Sequence, residues 1–244
     1  MRYLWKQLAI VSPLLLASAN AAQAQHAAPP PEPDTQASDA PLYNPAQLPS
    51  FTGVVQQFTL TPRGDIDGFI FADGVEVKTP PYLSTEIAYA VRVGDSVTVH
   101  GLKAEALPLI QAASVTDAAS GKTVVDNGPP GPRVGPPPPT PPAGPGAAAP
   151  VGDLVQGQVR MPLHGPKGDV NGALLDSGVI VRLPPPEAAR YANLLQAGQP
   201  LAARGVELRT ALGSVLDAHE IGASADRLTP VQAPAERRPP PPRG

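Results

Sequence analysis

Pro62-Arg63-Gly64-Asp65-Ile66-Asp67-Gly68 and Pro166-Lys167-Gly168-Asp169-Val170-Asn171-Gly172 are one phrase written twice at an offset of 104. Outward from it, the offset holds without a gap from Gly53/Gly157 to Gly101/Gly205, through Gly74/Gly178, Pro80-Pro81/Pro184-Pro185 and Gly94/Gly198. The chain is therefore a tandem duplication. Glycines kept at matched positions mark turns or bulges where a side chain would clash.

Strand signals in each copy are short and evenly spaced. Phe51 to Thr61 reads as a long first strand, Gly64-Asp65 (Gly168-Asp169 in the second copy) as a hairpin signal, and Ile66 to Ala72 as the returning strand. Asp67-Gly68 and Asn171-Gly172 could equally be the turn, but that would leave four residues for the second strand, so a bulge is preferred there. Ala72-Asp73-Gly74 turns the chain again, and Val75 to Thr79 is the third strand. Pro80-Pro81 cannot continue a ladder, and a short helix follows. Ile87, Ala88 and Val91, matched by Tyr191, Ala192 and Leu195, give that helix one apolar face. Ser96 to Leu102 is a fourth strand and Leu109 to Val115 a fifth; the fifth strand of the second copy, Val215 to Ile221, is displaced by two residues. Three strands, a helix and a closing hairpin is the order of a five-stranded OB barrel.

The Pro-basic-Gly-acidic turn, the glycine within strand two, the Asp-Gly turn, the Pro-Pro pair and the Gly-Asp before strand four resemble bacterial OB-fold domains of exported proteins of unassigned function. The resemblance covers residues 51–118 and 153–222 and implies the barrel fold; it brings no activity with it. The second copy departs from the pattern at Ser177, Gln199 and Pro200.

The remainder of the chain carries an address and spacers. Arg2 and Lys6, an apolar run from Leu8 to Ala17, and Ala22-Gln23-Ala24 make residues 1–24 a signal peptide, with Gln25 the first mature residue. The apolar run is too short for a membrane span and is broken by Pro13. Cleavage leaves 16 of the 18 basic residues against 21 acidic ones, a net charge of −5, and the chain has no cysteine for a disulfide or a lipid anchor. Thirty-five prolines and 4% aromatics limit the packed portion. Residues 25–50 read as a disordered leader, 119–152 as a Pro/Gly-rich linker and 223–244 as a disordered Pro/Arg tail. A stretched polyproline linker would keep the copies apart, so two separately folding beads on a tether are expected.

Few reactions fit this composition. Residues 51–118 carry four basic and eight acidic side chains, and 153–222 carry six and seven, a balance that disfavours a phosphate backbone as partner. Asp65-Ile66-Asp67-Gly68 lacks the glutamate of a calcium loop, since Gly74 occupies that place. His100, His164 and His219 stand alone, so neither metal nor cofactor is expected. Arg63-Gly64-Asp65 reads as turn chemistry ahead of an adhesion motif, and the Pro136 to Pro142 run as a spacer ahead of a polyproline ligand. No nucleophile with a base is present, which argues against an enzyme.

The sequence thus predicts an all-β chain with one short helix per domain: two tandem five-stranded OB-like barrels joined by a Pro-rich linker. The expected function is a periplasmic or secreted, non-enzymatic binding or envelope-interaction module, with an envelope protein or another ligand as partner and no membrane span. Exported single-stranded nucleic-acid binding is the alternative. OB barrels take ligands on the face of strands two and three, between the first loop and the loop joining strands four and five. The binding candidates are therefore Arg63, Asp65, Lys167 and Asp169 in the first loops. Phe69 and Phe71 would add an apolar surface in the first copy.

Overall fold

A computed structural model describes residues 44–129, 131 and 152–232. The signal peptide, residues 25–43 of the leader, the Pro136 to Pro142 run and residues 233–244 of the tail lie outside the described residues.

The first copy comprises β1 (Ser50–Leu60), β2 (Ile66–Phe71), β3 (Glu76–Lys78), α1 (Ser84–Ala90), β4 (Ser96–Lys103), β5 (Leu109–Asp117) and β6 (Thr123–Val125). The second comprises β7 (Asp153–His164), β8 (Val170–Leu175), β9 (Ile180–Arg182), α2 (Pro185–Arg190), β10 (Pro200–Thr210), β11 (Gly213–Gly222) and β12 (Thr229–Pro230). Long β1 pairs with β4 through its first half and with β2 through its second, β2 with β3, and β4 with β5. A parallel pairing of β3 with β5 closes the ring, and β9 with β11 closes the second one identically. Each copy is a closed five-stranded OB-like barrel, mostly strand, with one short helix between its third and fourth strands. Closure removes the open edges that would otherwise recruit other strands.

The doubtful Asp-Gly and Asn-Gly steps are bulges. Leu60 pairs with Ile66 and Thr59 with Gly68, so Asp67 is the extra residue; in the second barrel Leu163 pairs with Gly172 and His164 with Val170, leaving Asn171. A bulge turns its extra side chain off the regular alternation. Gly68 has φ 153°, and a Cβ there would lie 2.1 Å from the Val77 carbonyl oxygen; Gly172 meets the Val181 oxygen at the same distance. Only glycine fits, which explains its presence in both copies.

Interior packing follows the two-residue period. Val159, Ala173, Leu175, Val181 and Leu216 fill the second barrel. Val55, Phe58, Phe69, Phe71, Val77 and Ile110 belong to the core of the first, and Ile87 and Val91 of the helix segment pack there as expected. In the second copy Leu195 is buried and Tyr191 half-buried, while Ala192 is exposed, because α2 ends at Arg190 and turns replace its last helical turn.

Two expected boundaries move. β6 pairs with β5 inside the segment read as linker, and Val124 is buried. β12 pairs with β11 inside the segment read as tail, Val231 packs on the second core, and the Gln232 amide donates to Glu187 at 3.1 Å.

The barrels are not separate beads. Leu163, Leu174, Ile180 and Val215 of the second copy, all fully buried, join the apolar cluster of the first. They alternate along their strands with the residues that fill the second barrel, so β8, β9 and β11 are covered on both faces. The expectation of a tether failed because it looked for docking residues in the linker, whereas the docking surface lies on the strands.

Candidate functional site

The seam between the barrels is built from matched positions. Gln56 and Arg160, which are 104 apart, hydrogen-bond each other across it. A pair formed by equivalent residues marks the axis of a pseudo-two-fold, the arrangement of an isologous dimer. About that axis the first loop of each barrel meets the strand-four-to-five region of the other. A Cβ on Gly64 would lie 2.8 Å from a Leu208 methyl, and one on Gly168 would lie 3.3 Å from Leu107. The faces of β2–β3 and β8–β9 are thereby turned toward each other. All six residues of β2 and all three of β3 are buried.

This overturns the assignment of that face as an open ligand platform. Phe69 and Phe71 do not form a surface: they are 0% and 2% exposed, with ring centroids 5.6 Å apart inside the barrel. Small residues leave them room, since a Cβ on Gly53 would fall 2.6 Å from the Phe71 ring. Arg63, Asp65, Lys167 and Asp169 are exposed in the first loops. The main chain of these loops is closed by the Thr61 amide on the Asp65 carbonyl at 2.8 Å and the Gly165 amide on the Asp169 carbonyl at 2.7 Å. The four charges are held in place by turn geometry, and the turns bring Lys167, though not Phe69 or Phe71, to the seam.

Sequence reading missed the polar cluster inside the seam. Arg182 reaches from β9 and donates through Nη2 to both oxygens of Asp67, at 2.9 and 2.8 Å. Its Nε donates to the Leu60 carbonyl at 2.8 Å and its Nη1 to Asn171 Oδ1 at 2.7 Å. Lys78 donates to Asp67 at 2.9 Å and lies 3.5 Å from Glu76. His164, read as solitary, donates to Glu76 through Nδ1 at 3.0 Å and through its amide at 3.1 Å. Arg182, Asp67, Lys78, Glu76 and His164 are buried, and Asn171 is half-buried.

Burial works to raise the pKa of Asp67, but the charges of Arg182 and then Lys78 outweigh it and hold the carboxyl below the ordinary carboxylate range. Two carboxylates, Asp67 and Glu76, face the two cations Lys78 and Arg182, so these four charges balance one another. Among the described residues no group of three or more His, Cys, Asp or Glu could hold a metal ion.

Two clefts open along the seam. One of about 240 Å³ is lined by Asp67, Lys78, Thr79, Gln111, Asp126 and Pro166, together with Pro80, Pro81 and Ala112. The buried hydroxyl of Thr79 has no hydrogen-bond partner, and the Gln111 side chain crosses the seam to the Pro166 carbonyl at 2.6 Å. Lys167 lines an adjoining groove that shares Gln111 and Pro166. A second cleft of about 410 Å³ lies against His164, Arg160 and Met161.

No family model matches the chain. No curated protein matches it. Among solved structures, the wild-type single-stranded DNA binding protein from Thermus aquaticus is similar at 14% identity over 78% of this chain and 97% of its own, with a TM-score of 0.21. A deletion variant of that protein is similar at 14% identity over 79% and 96%, with a TM-score of 0.20. At such scores the likeness says nothing about what this chain binds, and the barrels rest on their own strand pairing. Among the described residues no helix is long and apolar enough to cross a membrane.

Proposed function

We propose that this chain is an exported, non-enzymatic binding module of the cell envelope that works as one two-barrel body and takes its ligand at the seam. The observation that carries the reading is the mutual covering of the β2–β3 and β8–β9 faces, which withdraws the surface OB barrels ordinarily offer and leaves clefts where the copies meet. Ligand sites favour such junctions, with apolar walls and a few convergent polar groups. Here Pro80, Pro81, Ala112 and Pro166 supply the walls, while Lys78, Thr79, Gln111 and Asp126 supply the polar groups. The unpartnered Thr79 hydroxyl is the group a ligand would satisfy. Export rests on residues 1–24 and on the resemblance, and the non-enzymatic reading on the absence of a nucleophile paired with a base in the sequence.

Single-stranded nucleic acid is the second reading. It asks for stacking aromatics in a basic groove, and Phe69 and Phe71 are inside the barrel. The test is crosslinking capture from an envelope fraction with the intact chain, run beside Gln111→Ala and Thr79→Val variants. Captured partners should be lost from both variants while Val206→Ser, at an exposed position that lines neither cleft, retains them. In parallel, an oligodeoxynucleotide titration at low and moderate salt should show no salt-steep binding. Tight binding that weakens by about ten-fold or more with salt would replace this reading with the nucleic-acid one.

A further inference from the structure

The seam has two-fold geometry but not two-fold chemistry. At the offset of 104, Leu60 corresponds to His164, Asp67 to Asn171, Glu76 to Ile180 and Lys78 to Arg182. Glu76 of the first barrel meets His164 of the second. The mirror-related pair, Ile180 and Leu60, carries no charge and lies in the common apolar cluster. Arg182 crosses to Asp67, whereas its counterpart Lys78 bonds Asp67 within its own barrel.

We infer that these buried charges are a pairing code: barrel one accepts barrel two and rejects another barrel one, and a second copy of this chain is a partner by exchange of barrels across the same seam. Two first barrels docked this way would place Glu76 against the apolar Leu60 side chain, losing the His164 imidazole and keeping only Lys78 of its own barrel, 3.5 Å away. Two second barrels would place each Arg182 against Asn171 with no carboxylate, and each His164 against Ile180. A buried charge stripped of its partner is strongly unfavourable, so like-with-like docking is penalised while the apolar part of the seam stays attractive. The code lives on the strands and does not depend on the covalent link. The same seam can therefore form between a first barrel of one chain and a second barrel of another, with the tether's effective concentration favouring closure within one chain. Exchange of this kind preserves every native contact.

Cutting the linker of the folded full chain at a protease site placed within residues 132–151 tests the code directly. The two pieces should remain a one-to-one complex by native mass spectrometry. After separation, each should bind the other at least about 100-fold more tightly than it binds itself, the scale expected when a buried pair is broken. Pieces that part on cleavage, or that self-associate as tightly as they cross-associate, would overturn the inference. Exchange is tested with two full-length variants, Asp67→Arg and Arg182→Glu. Each alone carries a like-charge clash, but an exchanged pair matches Arg against Glu at one seam and Asp against Arg at the other. Mixing should produce a dimer that neither variant forms alone. The double variant in one chain should be a folded monomer; if it is folded and the mixture holds no dimer, exchange is wrong. Should the double variant not fold, the cleaved wild-type chain decides.

Discussion

Asp67 is where local chain geometry becomes whole-molecule architecture. The bulge that Gly68 permits turns its carboxylate toward Arg182 and Lys78, and the pairing lowers its pKa. A carboxyl with a depressed folded pKa contributes stability above its unfolded value of about 3.9 and loses that contribution as pH falls through the folded value. Wild-type stability should therefore decline below about pH 4 in part through Asp67. Asp67→Asn leaves the buried Arg182 without a carboxylate and Lys78 with Glu76 alone, and should cost about 3–5 kcal/mol at neutral pH. The gap between the two proteins should narrow as acid protonates the wild-type group. Chemical denaturation from pH 7 to 3 checks this, and a constant gap would sever the pKa shift from the seam. Gly68→Ala forces a methyl against the Val77 carbonyl in a backbone conformation that L residues rarely adopt. It should destabilise by more than about 2 kcal/mol in thermal melts, well beyond an ordinary surface change.

At the scale of elements, each loop has a visible cause. The first loops close on their own main chain, and Arg63 and Lys167 are exposed, Lys167 at the rim of the seam groove. Replacing both with Glu should shift the melting temperature by no more than a degree or two, since exposed charges contribute little. If Lys167 touches a ligand in the seam groove, the same variant should nonetheless weaken partner capture. Repeat matching made the strands, the bulges and the displaced fifth strand legible. The displacement has a structural meaning that the sequence did not disclose: β10 and β11 pair out to Thr210 and Gly213, and Leu208 and Leu212 pack on the first barrel's core. The two residues behind the displacement are not slack, because pairing turns them into a projecting ribbon. Signals of the seam were nevertheless present. Phe69-Ile70-Phe71, Ala173-Leu174-Leu175 and Val179-Ile180-Val181 are apolar at every position, and a strand with no polar face is covered on both sides. The Asp67–Arg182 and Glu76–His164 pairs were not legible, because no local pattern tells which outward residues of two domains will meet.

For the whole molecule, the consequence is one body with a sealed interior face and clefts along its join. The faces that fold analogy would assign to ligand binding are spent on holding the copies together, which moves the binding site to what lies beside the join. The chain contains no cysteine, so a pair introduced at Gln56 and Arg160 supplies the only thiols. These residues touch across the axis, one from each barrel, and both are accessible enough to label. A short bismaleimide should couple Gln56→Cys to Arg160→Cys rapidly under native conditions and slowly in denaturant, while a control pair at Val93 and Val206 should not couple. Coupling of Gln56→Cys to Arg160→Cys no faster under native conditions than in denaturant, or no faster than the control, would mean that the two faces are not joined, and the account of the seam would fall with it.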